Sequence, residues 1–419
     1  MLIEKVNQFM LLPDSIVQAD DLNVQSATLY QQFYPDEGSA LFGSQAVSAK
    51  QEMTFTLGSN NCSMLTDRSY LSFNLGVAAG TTGILAGDAS ALFERVRVVS
   101  SRGIVLIDQQ QQNVLEWVKG INVLDDAQKA CRWESLGDQI NISDANSLVI
   151  DTATAAVKVC MPLPGSFFTQ VRNLCLPVTG QIRIIFTMAQ DFQAFSLCGS
   201  TAFRYRVDSP SLTACLQPLT PDFQARMVAL ARSGGLLLNY SSEYFTRQPI
   251  TATSNTVTVQ RALKSARIVT VLPRLSSEDN TYNLSYLKGQ SPASGLVSFS
   301  CRAGSSIYPS TALTTPEEVY VHLKQIYGLY GDLDAGNQIT RAGFTAAANT
   351  SVNQKQGSKW NMGVNLAKGG INTGHNTVDS PIQIMYQVGA STATLDAFIW
   401  ITYDSIVIVK SPDQIFVDM

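Results

Sequence analysis

The residue types that most often perform catalysis or bind metals are few in this sequence and widely spaced. Its two histidines are His322, inside a predicted helix beside Leu323, and His375, in a long loop. No cysteine, glutamate or second histidine is spaced to complete a metal site with His375. No GxSxG sequence marks a nucleophilic serine, and no glycine-rich loop ends in GK[ST] to hold phosphate. We therefore expect no catalytic residue, no metal and no cofactor.

Two acidic motifs are candidate functional sites. Segment 332–337 (DLDAGN) resembles the start of a calcium loop, but its glycine stands one position early and Gly343 replaces the bidentate glutamate. Asp125 and Asp126 are a candidate carboxylate pair for glycoside hydrolysis. Adjacent strand residues point to opposite faces, however, whereas a working pair must converge. A turn in solvent is the favoured interpretation of the aspartate pair.

The cysteines and the apolar runs indicate a chain without disulfides or membrane spans. No two of the seven cysteines form a CxxC pair, and we expect them to be buried in a reducing compartment; they stand at positions 62, 131, 160, 175, 198, 215 and 301. The first fifteen residues contain no basic region, so we expect no signal peptide. No uncharged apolar run reaches the roughly 18 residues that a membrane helix needs.

The composition favours a globular protein that packs against other chains. Of the 419 residues, 45% are hydrophobic and only 15% are charged, whereas about 25% charged is typical. Serine, threonine, asparagine and glutamine replace the missing charge, which leaves a polar and nearly neutral surface. The net charge is −4 and no basic arm is present. We therefore exclude sequence-independent nucleic-acid binding as the main activity and expect no sequence-specific binding either.

Alternation of apolar and polar residues is the dominant pattern and predicts strands with one face on a core. It occurs at 53–57, 69–77, 157–161, 182–188, 203–207, 257–259 and 382–388. The last region, Phe398–Val409, is almost continuously apolar. It predicts a strand covered on both faces, with a bend at Asp404–Ser405.

Helix signals are few. Thr220-Pro221-Asp222 predicts a helix start, and Gly234-Gly235 predicts its end. Thr315 and Glu318 have the spacing of a capping box around Pro316. A weaker helix is predicted from Asp108 through Val118. Strands and helices do not alternate as βαβ units, which argues against Rossmann and TIM folds.

These elements predict an all-β protein with two domains and a few short helices. Three prolines and a glycine pair mark a boundary within 209–235, and each half is the right size for an eight-stranded jelly roll. We assign residues 1–215, including an N-terminal arm, to the first roll and residues 216–419 to the second. The glycine- and asparagine-rich loop 331–379 carries Trp360 and His375, and we expect it to contact neighbouring subunits.

Residues 300–328 (SCRAGSSIYPSTALTTPEEVYVHLKQIYG) resemble the second roll of double jelly-roll major capsid proteins. The similarity is greatest to those of polinton-like viruses, adintoviruses and virophages. Gly304 and Ser305 match the Gly-Ser turn of that family, Tyr308-Pro309 its Tyr-Pro pair, and the helix from Pro316 with Glu318 its helix. Further stretches resemble strands and a helix of the two rolls, at 66–73, 92–98, 113–116 and 263–268.

This resemblance implies a structural protein and not an enzyme. It implies two tandem jelly rolls per chain, a homotrimer that forms a pseudo-hexagonal capsomer, and an icosahedral shell around double-stranded DNA. It also implies a penton protein and other minor capsid proteins as partners, often an internal membrane, and a location in the virion after synthesis in the host cytoplasm.

Two alternatives remain open from the sequence. One is a carbohydrate-binding or glycan-hydrolysing β-sandwich that uses exposed aromatics such as Trp360 or Tyr330, with the Asp125–Asp126 region. The other is a penton or spike-type minor capsid protein, which normally has one roll and forms pentamers.

Overall fold

Every strand pair within the described part of the computed structural model is antiparallel. The structure describes residues 28–38, 42, 45–48, 50–58, 61–86, 88–123, 149–152, 156–196, 201–250, 254–276, 286–289, 296–327, 344, 359–367, 374–378, 380–388 and 395–418. The predicted N-terminal arm before residue 28, the Asp125–Asp126 pair, the 332–343 motif and most of loop 331–379 lie outside these residues.

The first half of the chain forms a five-stranded, a four-stranded and a three-stranded sheet. Their orders are β1-β12-β3-β8 with β9 on β3, β2-β10-β5-β6, and β11-β4-β7. The strands are β1 (Leu29–Phe33), β2 (Glu52–Leu57), β3 (Cys62–Ala79), β4 (Thr82–Leu85), β5 (Phe93–Ser100), β6 (Val105–Gln110), β7 (Val149–Asp151), β8 (Val157–Pro162), β9 (Asn173–Cys175), β10 (Ile182–Met188), β11 (Phe195–Ser196) and β12 (Arg204–Pro218).

The second half forms a five-stranded and a four-stranded sheet. Their orders are β13-β20-β15-β18 with β21 on β20, and β14-β19-β16-β17. The strands are β13 (Leu236–Ile250), β14 (Ser254–Val259), β15 (Ala266–Leu275), β16 (Leu296–Ala303), β17 (Ser306–Leu313), β18 (Met362–Asn365), β19 (Ile382–Val388), β20 (Leu395–Ser411) and β21 (Gln414–Asp418).

All four large sheets share one strand order. In each, the four main strands stand side by side as the first, fourth, second and third in chain order. Each half therefore contains eight main strands in two sheets with the same connections, which is the arrangement of a jelly roll. The prediction of two tandem eight-stranded jelly rolls is confirmed. Strand β12 ends at Pro218 and β13 begins at Leu236, so the division that we placed after residue 215 falls inside the end of β12.

Short helices join the strands. They are α1 (Gln112–Val123), α2 (Ser166–Gln170), α3 (Leu176–Thr179), α4 (Asp191–Ala194), α5 (Pro221–Gly234) and α6 (Pro316–Ile326), with a 3-10 turn at Ala89–Leu92. Helix α5 begins at the predicted cap, where the Thr220 hydroxyl accepts a hydrogen bond from Phe223 N at 3.4 Å. No helix in the part of the chain that the structure describes is long and apolar enough to cross a bilayer.

Two sequence predictions about element limits were wrong. Helix α1 begins at Gln112, because Asp108 belongs to β6, where its carboxylate accepts a hydrogen bond from Arg95 Nε at 2.6 Å. Strand β20 continues through Asp404–Ser405, the position of the predicted bend, and pairs with β13 in unbroken register from Leu395 to Val409. It is buried on both faces only over its first seven residues and alternates beyond them.

The apolar core of the first roll extends into the second. Phe93 of β5 packs against Phe186 of β10, with ring centroids 5.2 Å apart. The same buried cluster includes Tyr240 of β13 and Trp400 of β20. A second cluster fills the remainder of the second roll. Because burying apolar surface stabilises roughly in proportion to area, the two rolls are held together by shared core as well as by the chain.

The five described cysteines are all free thiols. Cys175, Cys215 and Cys301 are buried, as the sequence predicted, but Cys160 on β8 is exposed. Burial raises the pKa of the Cys175 thiol to about 11 and that of the Cys301 thiol to about 12. The reactive thiolate form is therefore suppressed at the two buried positions.

We expect Cys160 to react with a maleimide near pH 8 while Cys175 and Cys301 stay unmodified. Exposure allows the first reaction, whereas burial and a raised pKa prevent the others. Peptide mass mapping after a short labelling pulse measures each site, and the same pulse in denaturant serves as the control. Labelling of Cys301 in the native protein would contradict this core assignment.

Candidate functional site

The residues that carry the capsid resemblance form a hairpin followed by a helix. Gly304 and Ser305 are the two turn residues between β16 and β17, and Gly304 has φ +63°. Glycine with positive φ at the first turn position is typical of type II′ hairpins. The Tyr308–Pro309 peptide in β17 is cis. Pro316 is the first residue of α6.

Glu318 and Thr315 cap the N-terminus of α6 with a complete capping box. Glu318 Oε2 accepts hydrogen bonds from Thr314 N at 2.8 Å and from Thr315 N at 3.2 Å. In return, Glu318 N donates to Thr315 Oγ1 at 3.3 Å. The backbone hydrogen bonds from Thr314 and Thr315 lower the pKa of the Glu318 carboxyl, because they stabilise its charged form. The role of this glutamate here is to begin a helix.

His375 lies beside the Gly304 turn. Its backbone pairs with Ala266, donating at 2.7 Å and accepting at 2.9 Å. Its Nε2 lies 2.8 Å from the carbonyl oxygen of Ser380. A Cβ placed on Gly304 would come within 2.8 Å of Ser380 Oγ. The structure thus brings together two predicted residues that are distant in sequence, and the backbone partners of His375 are those of a structural residue.

Trp360 does not expose its ring. It is 2% exposed and belongs to the core of the second roll, with its ring centroid 4.7 Å from that of Phe344. The expectation of an exposed aromatic at this position was wrong, because the ring fills the core. A subunit contact made by loop 331–379 stays a prediction, but the Trp360 side chain is buried in the core of the second roll.

The described residues contain no cluster of side chains suited to a metal ion. Within these segments no three histidine, cysteine, aspartate or glutamate side chains come together in an arrangement that could hold one. His322 on α6 is part-buried, and burial lowers its pKa, with an opposing contribution from the charge of Glu318. A neutral histidine on a helix fits the structural interpretation of this residue.

Exposed apolar side chains mark surfaces that could meet another chain. Strand β1 pairs with β12 and with no other described strand, and its first four residues are exposed. Other large exposed apolar side chains lie at Tyr34, Val105, Val123, Ile307, Val321, Val378 and Phe416. An exposed strand edge invites pairing with another chain. Sequence reasoning missed β1, because its residues (LYQQF) do not alternate.

Solved structures resemble the chain over nearly its whole length. PBCV-1 VP54, fitted into a cryo-EM reconstruction of the virophage Sputnik, has a TM-score of 0.58 at 10% identity and covers 94% of this chain and 96% of its own. A PBCV-1 virus capsid model has a TM-score of 0.59 at 11% identity with the same coverage. The Faustovirus major capsid protein has a TM-score of 0.58 at 9% identity, covering 97% of this chain and 98% of its own.

These matches agree with the strand order described above. The chain has the double jelly-roll fold found in these viral capsid structures. The amino-acid sequence by itself matches no protein-family model and no curated protein. Similarity is therefore carried by strand order and not by residue identity.

Replacing Gly304 by alanine should destabilise the protein by about 0.5–1.5 kcal/mol more than replacing Gly103, because the new methyl group would lie 2.8 Å from Ser380 Oγ and force that side chain to rotate. Gly103 is a matched control, since it also has positive φ (+81°) but no atom would lie within 4 Å of a Cβ added there. Urea denaturation measures both variants. In a Ser380→Ala background the difference should disappear; if it persists, the Ser380 contact is not its cause.

The capping charge of Glu318 should give a pH-dependent stability. Since its folded pKa lies below the ordinary 4.5, the contribution is present above that value and is lost as the pH falls through the folded pKa. We expect wild type to exceed Glu318→Gln in urea midpoint at neutral pH and the two to converge in acid. Thr315→Ala tests the other half of the box. A difference that is constant with pH would contradict the assignment.

Proposed function

We propose that this chain is a viral major capsid protein, a structural protein and not an enzyme. The observation that carries the proposal is the match to the Faustovirus major capsid protein, which covers 97% of this chain and 98% of that one. Both rolls and the connection between them are included in this match. A role that required only one sandwich would leave half of the correspondence unexplained.

Self-association follows from the surface and the fold together. Three copies, each with two side-by-side rolls, give a pseudo-hexagonal capsomer, and capsomers tile an icosahedral shell around double-stranded DNA. The exposed strand β1 and the low charged fraction of 15% support contacts between chains, because few charges need to be desolvated. Closed symmetric contacts would also cover strand edges that otherwise promote aggregation.

The partners of such a protein are chiefly copies of itself. We further propose a penton protein and other minor capsid proteins as partners, and a location in the virion after synthesis in the host cytoplasm. The net charge of −4 supports a shell that does not itself neutralise the genome.

The structure offers less support to the two alternatives. A glycan-binding role relied on exposed aromatics such as Trp360 or Tyr330 and on the Asp125–Asp126 region. Trp360 is buried, and Tyr330 and the aspartate pair lie outside the described residues. A penton or spike protein normally has a single roll, whereas this chain has two complete ones.

We expect the purified chain to have a native mass of about 136 kDa, which is three copies of 45.4 kDa. Light scattering over a concentration series measures the mass, and negative-stain microscopy of the same sample should show hexagonal outlines. A monomer of 45.4 kDa at every concentration would contradict the capsid proposal. A pentamer would favour the minor capsid alternative.

A further inference from the structure

A buried carboxylate of the second roll reaches into the first. Glu243 lies on β13 and is 3% exposed. Its Oε1 accepts a hydrogen bond from Lys119 Nζ on α1 at 2.6 Å. Its Oε2 accepts a short hydrogen bond from Gln109 Nε2 on β6. Both donors belong to the first roll, so both bonds cross from one roll to the other.

Ser166 adds a third element to this group. Its Oγ, at the first residue of α2, accepts a hydrogen bond from Gln109 Nε2 at 2.7 Å. Its single hydroxyl proton faces Ser241 O at 2.8 Å and Glu243 Oε2 at 3.2 Å. Whichever of these oxygens accepts the proton, the bond crosses to β13. Three separate elements of the first roll therefore converge on one stretch of the second.

Lys119 is a cation that faces two carboxylates in this group. The Lys119 side chain is 28% exposed. Burial disfavours the ammonium form of Lys119. The negative charges of Glu243 and Glu116 and the hydrogen bond to Glu243 favour it more strongly, so the pKa of Lys119 is raised. Glu116 is itself held by Gln112, whose Nε2 donates to it at 2.8 Å. The group is therefore an ion pair embedded in amide and hydroxyl partners.

Apolar side chains also pack across the two rolls beside this group. Phe167 and Tyr240 meet across the rolls with ring centroids 5.0 Å apart. Apolar contact is non-directional, so it specifies one placement of the rolls less sharply than hydrogen bonds to a charged group do. A buried carboxylate is directional: any shift that breaks its bonds leaves a charge without partners, which is costly.

We propose that Glu243 fixes the relative placement of the two rolls through the hydrogen bonds that Lys119 and Gln109 donate to its carboxylate. The main contribution of this group is one defined arrangement and not added stability, because a buried ion pair often gains little over well-packed apolar residues. The proposal concerns the single chain and can be tested whether or not the chain assembles into capsids.

The test compares full-length Lys119→Met, Glu243→Met and the double variant by denaturant unfolding and hydrogen exchange. Lys119→Met leaves a buried carboxylate unpaired and should shift the unfolding equilibrium by about a hundredfold or more. The double variant should recover to within about tenfold of wild type. Amides of α1 and α2 should nevertheless exchange at least about tenfold faster in it, while the β14–β19 pair is unchanged.

A second pair between the rolls provides the matched control. Arg102 Nη2 lies 2.6 Å from Asp413 Oδ1, but both side chains are 64% exposed. Arg102→Met should change neither stability nor exchange by more than about twofold, since exposed pairs contribute little. Two results would overturn the proposal. One is a double variant whose α1 and α2 amides exchange at the wild-type rate, and the other is a Lys119→Met variant as stable as wild type.

Discussion

The packing of the second roll against the first is the contact on which the rest of this structure depends. Tyr240 and Trp400 of the second roll lie in the same buried cluster as Phe93 and Phe186 of the first. The Tyr240 hydroxyl also donates a short hydrogen bond to the carbonyl oxygen of Leu106. Separating the rolls would expose this apolar surface and leave polar groups without partners. Separation of the two rolls is therefore costly.

The two rolls use the same topological positions for different purposes. Helix α1 lies between the fifth and sixth main strands of the first roll, β6 and β8, and α6 lies between the fifth and sixth of the second, β17 and β18. Helix α6 packs Val319 and Leu323 into the core of its own roll. Helix α1 likewise packs Val114, Leu115 and Val118 into the core of the first roll, but it also contributes Ile121 to the core of the other roll and Lys119 to the polar group around Glu243. The junction between the two rolls is therefore asymmetric, although the fold of the two rolls is the same.

Local patterns in the sequence predicted most of the elements, and long-range contacts could not be predicted from them. Alternation marked β3, β10 and β19, and caps marked α5 and α6, because these signals depend on neighbouring residues. Strand β1 was missed because an edge strand exposed on both faces has no alternation to read. The contact of Gly304 with Ser380 and the burial of Trp360 depend on how distant segments meet.

Low sequence identity combined with a shared fold follows from the same physics. A jelly-roll strand requires an apolar face, a register and a turn, and many residue combinations satisfy these requirements. Identities of 9–11% over nearly the full length are therefore compatible with one strand order. Strand pattern alone leaves the relation between two rolls loosely specified. The buried polar group around Glu243, whose partners come from three elements, specifies how the two rolls are placed relative to each other. The few residues that form this group are not revealed by the alternation of apolar and polar residues.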